Sequence, residues 1–193
     1  RELSEKKPIN IYGKSKLKSE NFIKKKLSKN KKYLIFRYFN VVGCFSGKIG
    51  VINKNVNPLF KVISKNILSQ KNSIKIFGKK FDTKDGTAIR DYVHIEDLCD
   101  FHFQLYQKLK KDNRSDIFNL GYGKGYSNLD IINGFKCFIK KNVNVKFIER
   151  RKNEVPISIC NNIKLKNNIN YRPKKNNLKK MIVDSFTWFK RNI

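Results

Sequence analysis

The run "YLIFRYFNVVG", from Tyr33 to Gly43, constrains the fold of this chain more than any other stretch. It is almost continuously apolar, it follows helix-type sequence, and it ends at a glycine turn. Such a run is typical of a strand that is covered on both faces, as in a parallel sheet flanked by helices. The sequence therefore predicts an α/β fold with this strand inside it.

Helix-like and strand-like segments alternate along the remaining chain. Helices are predicted over residues 12–28, 58–68, 96–110, 127–139 and 178–190. Strands are predicted in "IKIFG", "DYVHI", "DIFNLG" and "NVKFIE". The last helix is expected to bury Met181, Ile182, Phe186 and Trp188. No internal repeat or low-complexity linker interrupts this order, so an α/β architecture is predicted throughout.

The composition limits the possible classes of protein. At 193 residues and 39% hydrophobic, the chain can bury a sizeable core. No apolar run approaches the roughly 18 residues of a membrane span, so no membrane association is expected. The formal net charge of +29 suggests a nucleic-acid partner, but the lysines are spread through every segment. We therefore expect weak, salt-sensitive binding to polyanions and no specific nucleic-acid site.

Four widely spaced cysteines, Cys44, Cys99, Cys137 and Cys160, occur with only two histidines. No C-x-x-C pair is present, and this spacing does not suit a zinc site, so no metal is expected. Isolated buried thiols in a reducing cytoplasm fit this pattern better.

The pentapeptide "YGKSK" places Lys16 four residues after Tyr12 on a predicted helix. Residues at this spacing lie on one helix face, so the two side chains could form a proton-transfer pair. Tyr106 and Tyr171 also have a lysine four residues on. The spacing alone therefore fits an ordinary solvated helix face equally well.

The glycine cluster "NLGYGKGYS" imitates a dinucleotide-binding loop, because it follows a strand and opens a helix. However, Tyr126 stands where G-x-G-x-x-G needs its third glycine. Ser127 and Asp130 have the spacing of a helix cap. We favour the structural interpretation of this cluster.

Five motifs occur in a recognisable order: "YGKSKLKSE", "RYFNVVG", "DGTAIRDYVHIEDL", "NLGYGKGYS" and "ERRKNE". In this order they resemble the UDP-glucose 4-epimerase family of extended short-chain dehydrogenases/reductases, over essentially the whole chain. The resemblance implies the C-terminal part of a Rossmann-type doubly wound parallel sheet plus a small α/β substrate-binding domain. Residues 1–43 would be a remnant of the NAD-binding domain, and residues 44–193 mainly the UDP-sugar-binding domain, with 91–110 returning to the Rossmann sheet.

In that family, a glycine-rich βαβ unit and a Ser or Thr near the reacting hydroxyl lie before the catalytic tyrosine. Neither is found in this sequence. The chain is therefore expected to be an incomplete fragment of an epimerase and to be inactive alone.

The resemblance implies inversion at C4 of a UDP-hexose through a transient 4-keto sugar, with tightly bound NAD. Tyr12 would take the proton from the sugar 4-hydroxyl. Lys16 would favour its phenolate and hold the nicotinamide ribose. Phe39 would lie near the nicotinamide. A cytoplasmic homodimer is implied as well.

The resemblance also assigns substrate-binding positions, which it places in contact with the UDP-sugar. They are Asn40, Asn55, the strand residues Lys75, Ile76 and Phe77, the arginines Arg90 and Arg151 for the diphosphate, Glu154 for the ribose, and Ser158 beside the sugar. Arginine suits phosphate because its planar fork of donors matches the phosphate oxygens.

Two departures from the family pattern affect this region. The motif R-x-G-D becomes Arg151-Lys152-Asn153-Glu154. Asn153 can replace glycine if it adopts a left-handed conformation. Ser158 falls at the family's gatekeeper position, where a bulky tyrosine would restrict the pocket to glucose and galactose, unless these changes shift the register by one residue. A small gatekeeper would admit N-acetylated sugars as well.

Two other functions stay open from the sequence. A related UDP-sugar epimerase acting on pentoses or uronic acids would share these motifs. A basic nucleic-acid-binding fragment is the alternative from a different class of protein.

Overall fold

The computed structural model describes residues 1–27, 31–52, 57–70 and 73–192. The helices are α1 (Ile11–Leu27), α2 (Leu59–Leu68), α3 (Ile95–Asp112), α4 (Asn128–Ile139), α5 (Ile163–Lys166) and α6 (Leu178–Asn192). The strands are β1 (Leu34–Tyr38), β2 (Asn40–Val42), β3 (Ser73–Phe77), β4 (Ile89–His94), β5 (Asp116–Leu120), β6 (Gly125–Ser127), β7 (Asn144–Ile148) and β8 (Ile157–Ser158). Every helix predicted from the sequence is present, as are the predicted strands other than "YLIFRYFNVVG", within about two residues at most ends.

The strands form three small sheets in which parallel pairing dominates. β1 pairs with β5, β3 pairs with β7, and β2 pairs with β4, all in parallel. β4 also pairs with β8 in parallel and with β6 in antiparallel orientation. Parallel neighbours need long crossovers, and α2, α3 and α4 lie within these crossovers. The predicted α/β class is confirmed.

The run "YLIFRYFNVVG" forms two strands rather than the single strand that was predicted. The break falls at Phe39, whose N–H donates to the Leu120 carbonyl at 3.3 Å. From there the chain leaves β5 and joins β4. Gly43 then turns the chain at φ 83°, where a side chain would collide with the buried His94 ring. Phe39 and Asn40 thus lie at a junction between two sheets.

The main core lies between the sheets and the helices α2, α3, α4 and α6. Phe60, Phe101 and Phe135 are buried in it, together with Met181 and Ile182. The last helix buries Met181, Ile182 and Trp188 as predicted, whereas Phe186 is only half-buried. This core is centred away from β1, whose Leu34 and Phe36 are only partly buried.

The cap predicted at the start of α4 is confirmed. The Ser127 hydroxyl accepts from the Asp130 N–H at 2.9 Å, and the Asp130 carboxylate accepts from the Ser127 N–H at 2.9 Å. This reciprocal pair satisfies two donors that the first helical turn would otherwise leave free. The glycine cluster before it therefore has a structural role in starting α4.

The thiols do not all follow the expectation from the sequence. Cys44 and Cys160 are buried, but Cys99 on α3 and Cys137 on α4 are exposed, so that part of the prediction is wrong. Both helices bury only one face, and these two cysteines lie on the other. Within the described ranges, no cluster of His, Cys, Asp and Glu side chains could hold a metal ion. None of the described helices is both long and apolar enough to span a membrane.

Residues 91–110 run from β4 into α3, and α3 contacts both β4 and β5. The element therefore bridges the pair β1–β5 and the sheet built on β4. The division into residues 1–43 and 44–193 stays a prediction.

Candidate active site

Tyr12 and Lys16 lie one turn apart at the start of α1, as predicted. Asn10 caps this helix, because its side-chain oxygen accepts from the Gly13 N–H at 2.8 Å. Tyr12 is 71% exposed, and the Lys16 ammonium lies 5.2 Å from the centre of its ring. Lys110 lies over Tyr106 in a similar way, at 5.9 Å. The local geometry therefore permits proton transfer but does not single out Tyr12.

A buried carboxylate attaches this helix to β1. Glu20 is the one buried side chain among the residues of α1, and it accepts from both the Nε and an Nη atom of Arg37 at 2.9 and 2.8 Å. Lys24 and Lys6 add contacts at 2.7 and 3.0 Å. Burial alone would raise the pKa of Glu20, but the hydrogen bonds from these three cations outweigh it and lower the pKa to about 2. Charge, rather than apolar packing, fixes α1 on β1.

A cavity of about 590 Å³ lies between α1 and β1. Its lining is Lys6, Lys7, Pro8, Tyr12, Gly13, Lys16, Leu17, Ser19, Glu20, Ile23, Ile35, Phe36, Arg37 and Tyr38. The two predicted proton-transfer residues therefore border this cavity, whereas Tyr106 borders a separate apolar groove of about 810 Å³. Phe39 follows Tyr38 directly and is half-buried.

Asn40 opens β2 and is exposed at the junction of the two sheets. Its side chain hydrogen-bonds the hydroxyl of Tyr92, its register partner on β4. Burial raises the pKa of Tyr92 to about 12, so this hydroxyl stays protonated at neutral pH. The sequence did not identify Tyr92 as a neighbour of Asn40, because the pairing of β2 with β4 joins distant segments.

Arg90, Glu154 and Ser158 are brought together at the start of β4. Ser158 on β8 is the direct register partner of Arg90. The Arg90 Nη2 donates to the Glu154 Oε1 at 3.2 Å, and its Nη1 donates to the carbonyls of Ile89 and Pro156 at 2.8 and 3.2 Å. The other Glu154 oxygen is buried and has no hydrogen-bond partner in the described structure. Three of the predicted substrate residues thus form one cluster.

Asn153, directly before Glu154, has φ 57°. It therefore adopts the left-handed conformation that a glycine would adopt most easily, as the sequence required for the altered motif. The asparagine preserves the turn that orients this loop.

The residues of β3 that are predicted to lie along the uracil differ in how far their side chains are exposed. Lys75 is exposed, Phe77 is half-buried, and the Ile76 side chain is 2% exposed within the core. Ile76 can therefore offer a ligand only its backbone. The Arg151 guanidinium lies 4.0 Å from the centre of the Phe77 ring. This contact joins β3 to the loop that carries Glu154.

The two groups of predicted residues remain separate in the described chain. None of the residues that line the cavity beside Tyr12 is one of those predicted to bind UDP. Asn55 lies outside the described residues. The sequence missed the role of Glu20, although it is the sole acidic residue in a lysine-rich helix.

Comparison with known proteins identifies the family of this chain. Residues 1–121 match the NAD dependent epimerase/dehydratase family. The UDP-glucose 4-epimerase of Lactobacillus helveticus is 35% identical over 95% of this chain and 56% of its own length. That of Mycoplasma pneumoniae is 34% identical over 94% of this chain and 54% of its own length. The chain spans about half the length of the curated relatives that it matches.

Solved structures give the same assignment. The UDP-glucose-4-epimerase from Stenotrophomonas maltophila, with bound NAD and formylated UDP-arabinopyranose, superposes with a TM-score of 0.90 at 26% identity. The match covers 98% of this chain and 57% of that one. The UDP-Glc/GlcNAc 4-epimerase from Campylobacter jejuni has a TM-score of 0.76 at 34% identity, with 98% and 58% coverage. The chain belongs to the NAD dependent epimerase/dehydratase family.

Proposed function

We propose that this chain supplies the proton-transfer pair and the UDP-sugar-binding part of an NAD-dependent UDP-sugar 4-epimerase. The observation that supports this most strongly is the cluster of Arg90, Glu154 and Ser158. Sixty-four residues separate Arg90 from Glu154 in the sequence, yet their side chains are in contact. The family resemblance assigned each of the three to the substrate, and the fold brings them together.

The residues beside Tyr12 fit a nicotinamide cofactor. The cavity is large enough for a ring and its ribose, and Lys16 offers an ammonium donor at its border. Phe39 lies next to the end of β1 and could flank a planar ring. NAD, when bound, supplies the acceptor that takes hydride from C4 of the sugar and returns it to the other face. Lys16 would hold the ribose, and Tyr12 would orient the reacting hydroxyl.

The role of the protein's own side chains in this reaction is proton transfer. A free phenol titrates near pH 10 and is a weak base at neutral pH. In this proposal Tyr12, with the Lys16 ammonium 5.2 Å from the centre of its ring, accepts the proton of the sugar 4-hydroxyl and later returns it. The 4-keto sugar has lost the stereochemistry at C4, so its rotation in the site permits inversion.

The UDP-binding part of this proposal can be tested on the chain itself. We expect UDP to bind at about 0.15 M salt, where weak polyanion binding is screened. Arg151→Ala should weaken UDP binding about tenfold, because it removes a charged donor for phosphate. Arg114→Ala, a change of equal charge at an exposed site just after the end of α3, should not. Isothermal titration calorimetry measures both. Binding to heparin without UDP binding would support the nucleic-acid alternative instead.

The catalytic part needs a complete epimerase built on this chain. Tyr12→Phe should lower turnover about 10²- to 10⁴-fold while UDP affinity stays nearly unchanged, since only proton transfer is lost. Lys16→Met should also weaken NAD retention. Tyr106→Phe is a matched control, because Tyr106 has a similarly placed lysine but lies outside the cavity between α1 and β1. Near-normal turnover of the Tyr12 variant would contradict the assignment.

The proposed substrates follow from the curated relatives, which are UDP-glucose 4-epimerases. UDP-glucose and UDP-galactose are the proposed substrates, and Ser158 leaves room for the N-acetylated pair. Acceptance of UDP-pentoses or UDP-uronic acids instead would identify a related epimerase. A homodimer in the cytoplasm is proposed by the same resemblance.

A further inference from the structure

Arg90 is already occupied by an internal anion. Three of its five N–H groups donate to internal acceptors, namely one carboxylate oxygen of Glu154 and the backbone carbonyls of Ile89 and Pro156. The side chains of Arg90 and Glu154 are only 17% and 22% exposed. A phosphate that approaches the Nη2 side of this guanidinium therefore competes with Glu154.

The length of the Glu154 side chain makes this contact possible. The corresponding motif residue in the resemblance is an aspartate, which is shorter by one methylene, or about 1.5 Å. With an oxygen–nitrogen distance of 3.2 Å for glutamate, an aspartate on the same backbone would lie beyond ion-pair range. Asn153 preserves the turn before this residue, so the loop itself need not move to explain the difference.

The ion pair is also incompletely satisfied. The Glu154 Oε2 is buried without a hydrogen-bond partner in the part of the chain that is described. A buried acceptor left unpaired is costly, so this arrangement is less stable than a fully bonded pair. A polyphosphate, with more charge and several oxygens, can therefore displace it.

We propose that the Glu154 carboxylate competes with the substrate for Arg90. This competition lowers the affinity of Arg90 for the diphosphate of the substrate. This proposal rests on the proposed function, because it assigns Arg90 to that diphosphate. Shortening or neutralising the Glu154 side chain should break its ion pair with Arg90 and thereby increase the affinity for diphosphate. We expect diphosphate binding to tighten about three- to tenfold, because this pair is less exposed than surface ion pairs, whose effect reaches about fivefold.

The test uses inorganic pyrophosphate, which carries the diphosphate charge without a ribose. Glu154→Asp and Glu154→Gln are each titrated with pyrophosphate and with UDP at fixed salt. Glu149→Gln is the control, because it removes the same charge from an exposed position five residues earlier. Pyrophosphate should bind both Glu154 variants three- to tenfold more tightly than the parent chain and the control. Equal or weaker binding in both variants would overturn the proposal.

A second readout does not depend on the nucleotide. Phenylglyoxal modifies accessible guanidinium groups, and mass spectrometry reports the rate at Arg90. Both Glu154 variants should react faster at Arg90, whereas Glu149→Gln should react at the parental rate. Failure of all chains to bind UDP, with faster Arg90 modification, would reject the proposed function and keep the ion-pair competition. An unchanged Arg90 rate with UDP bound normally would reject the competition alone.

Discussion

Replacing Glu20 should cost stability in a manner that depends on pH. In the folded chain its pKa is about 2, against an ordinary value of 4.5. At about 1.4 kcal/mol for each pH unit, this difference corresponds to about 3 kcal/mol. The partners Arg37, Lys24 and Lys6 are a quarter to a third exposed, so solvent screening reduces the figure. We expect Glu20→Gln to lower the free energy of unfolding at pH 7 by about 2 kcal/mol.

The sign of the pH dependence follows from the direction of the shift. Because folding depresses this pKa, the stabilisation is complete above about pH 4.5 and is lost as the pH falls toward 2. Urea unfolding of the parent and the variant, measured between pH 7 and pH 2, should therefore converge at the acidic end. Hydrogen exchange should show that the loss is greatest in α1, since no other side chain of that helix is buried.

Glu5→Gln provides the matched control for this experiment. It makes the same charge change at a carboxylate whose ion pair with Lys7 is fully at the surface, with both side chains about three-quarters exposed. Its stability should stay within about 0.5 kcal/mol of the parent. A Glu20 variant with the parental pH dependence, or a Glu5 variant equally destabilised, would refute the argument that buried charge holds α1.

Three further changes test other features. In a complete epimerase, Ser158→Tyr should abolish turnover of UDP-N-acetylglucosamine and retain that of UDP-glucose, because a phenol ring fills the space of the acetamido group. Equal turnover of both substrates by the variant would contradict the gatekeeper hypothesis. Asn153→Ala should lower the free energy of unfolding in urea by about 1 kcal/mol, whereas Asn153→Gly should not, since φ is 57°. Asp130→Ala should cost about 1 kcal/mol in the same assay through the lost cap of α4.

Local features of this fold could be predicted from the sequence. The α1 spacing of Tyr12 and Lys16 and the cap formed by Ser127 and Asp130 depend on residues within one turn of each other. Periodicity and capping rules operate at that range, so these predictions agree with the structure. The turn at Asn153 is likewise a local feature that could be predicted from the sequence.

Features set by distant contacts could not be predicted. The break at Phe39 arises because β2 pairs with β4, and an apolar run gives no signal for a change of partner. β8 contains two residues, too few for any periodicity. The contact between Arg90 and Glu154 likewise joins β4 to a loop 64 residues away, so the sequence could assign each to a ligand but not to each other.

The position of β1 has a consequence for the behaviour of this chain in solution. Among the described strands β1 pairs only with β5, and beside it lies an apolar groove of about 810 Å³ with Phe103 and Tyr106 exposed at its border. The one charge within β1, on Arg37, is neutralised by Glu20.

This edge therefore lacks the charged residues that usually prevent strands of different molecules from pairing. The net charge of +29 must oppose self-association instead, and it does so only over the range of electrostatic repulsion. That range shrinks from about 10 Å at 0.1 M salt to about 3 Å at 1 M. Contrary to the usual effect of moderate salt on basic proteins, added salt should drive these molecules together through β1.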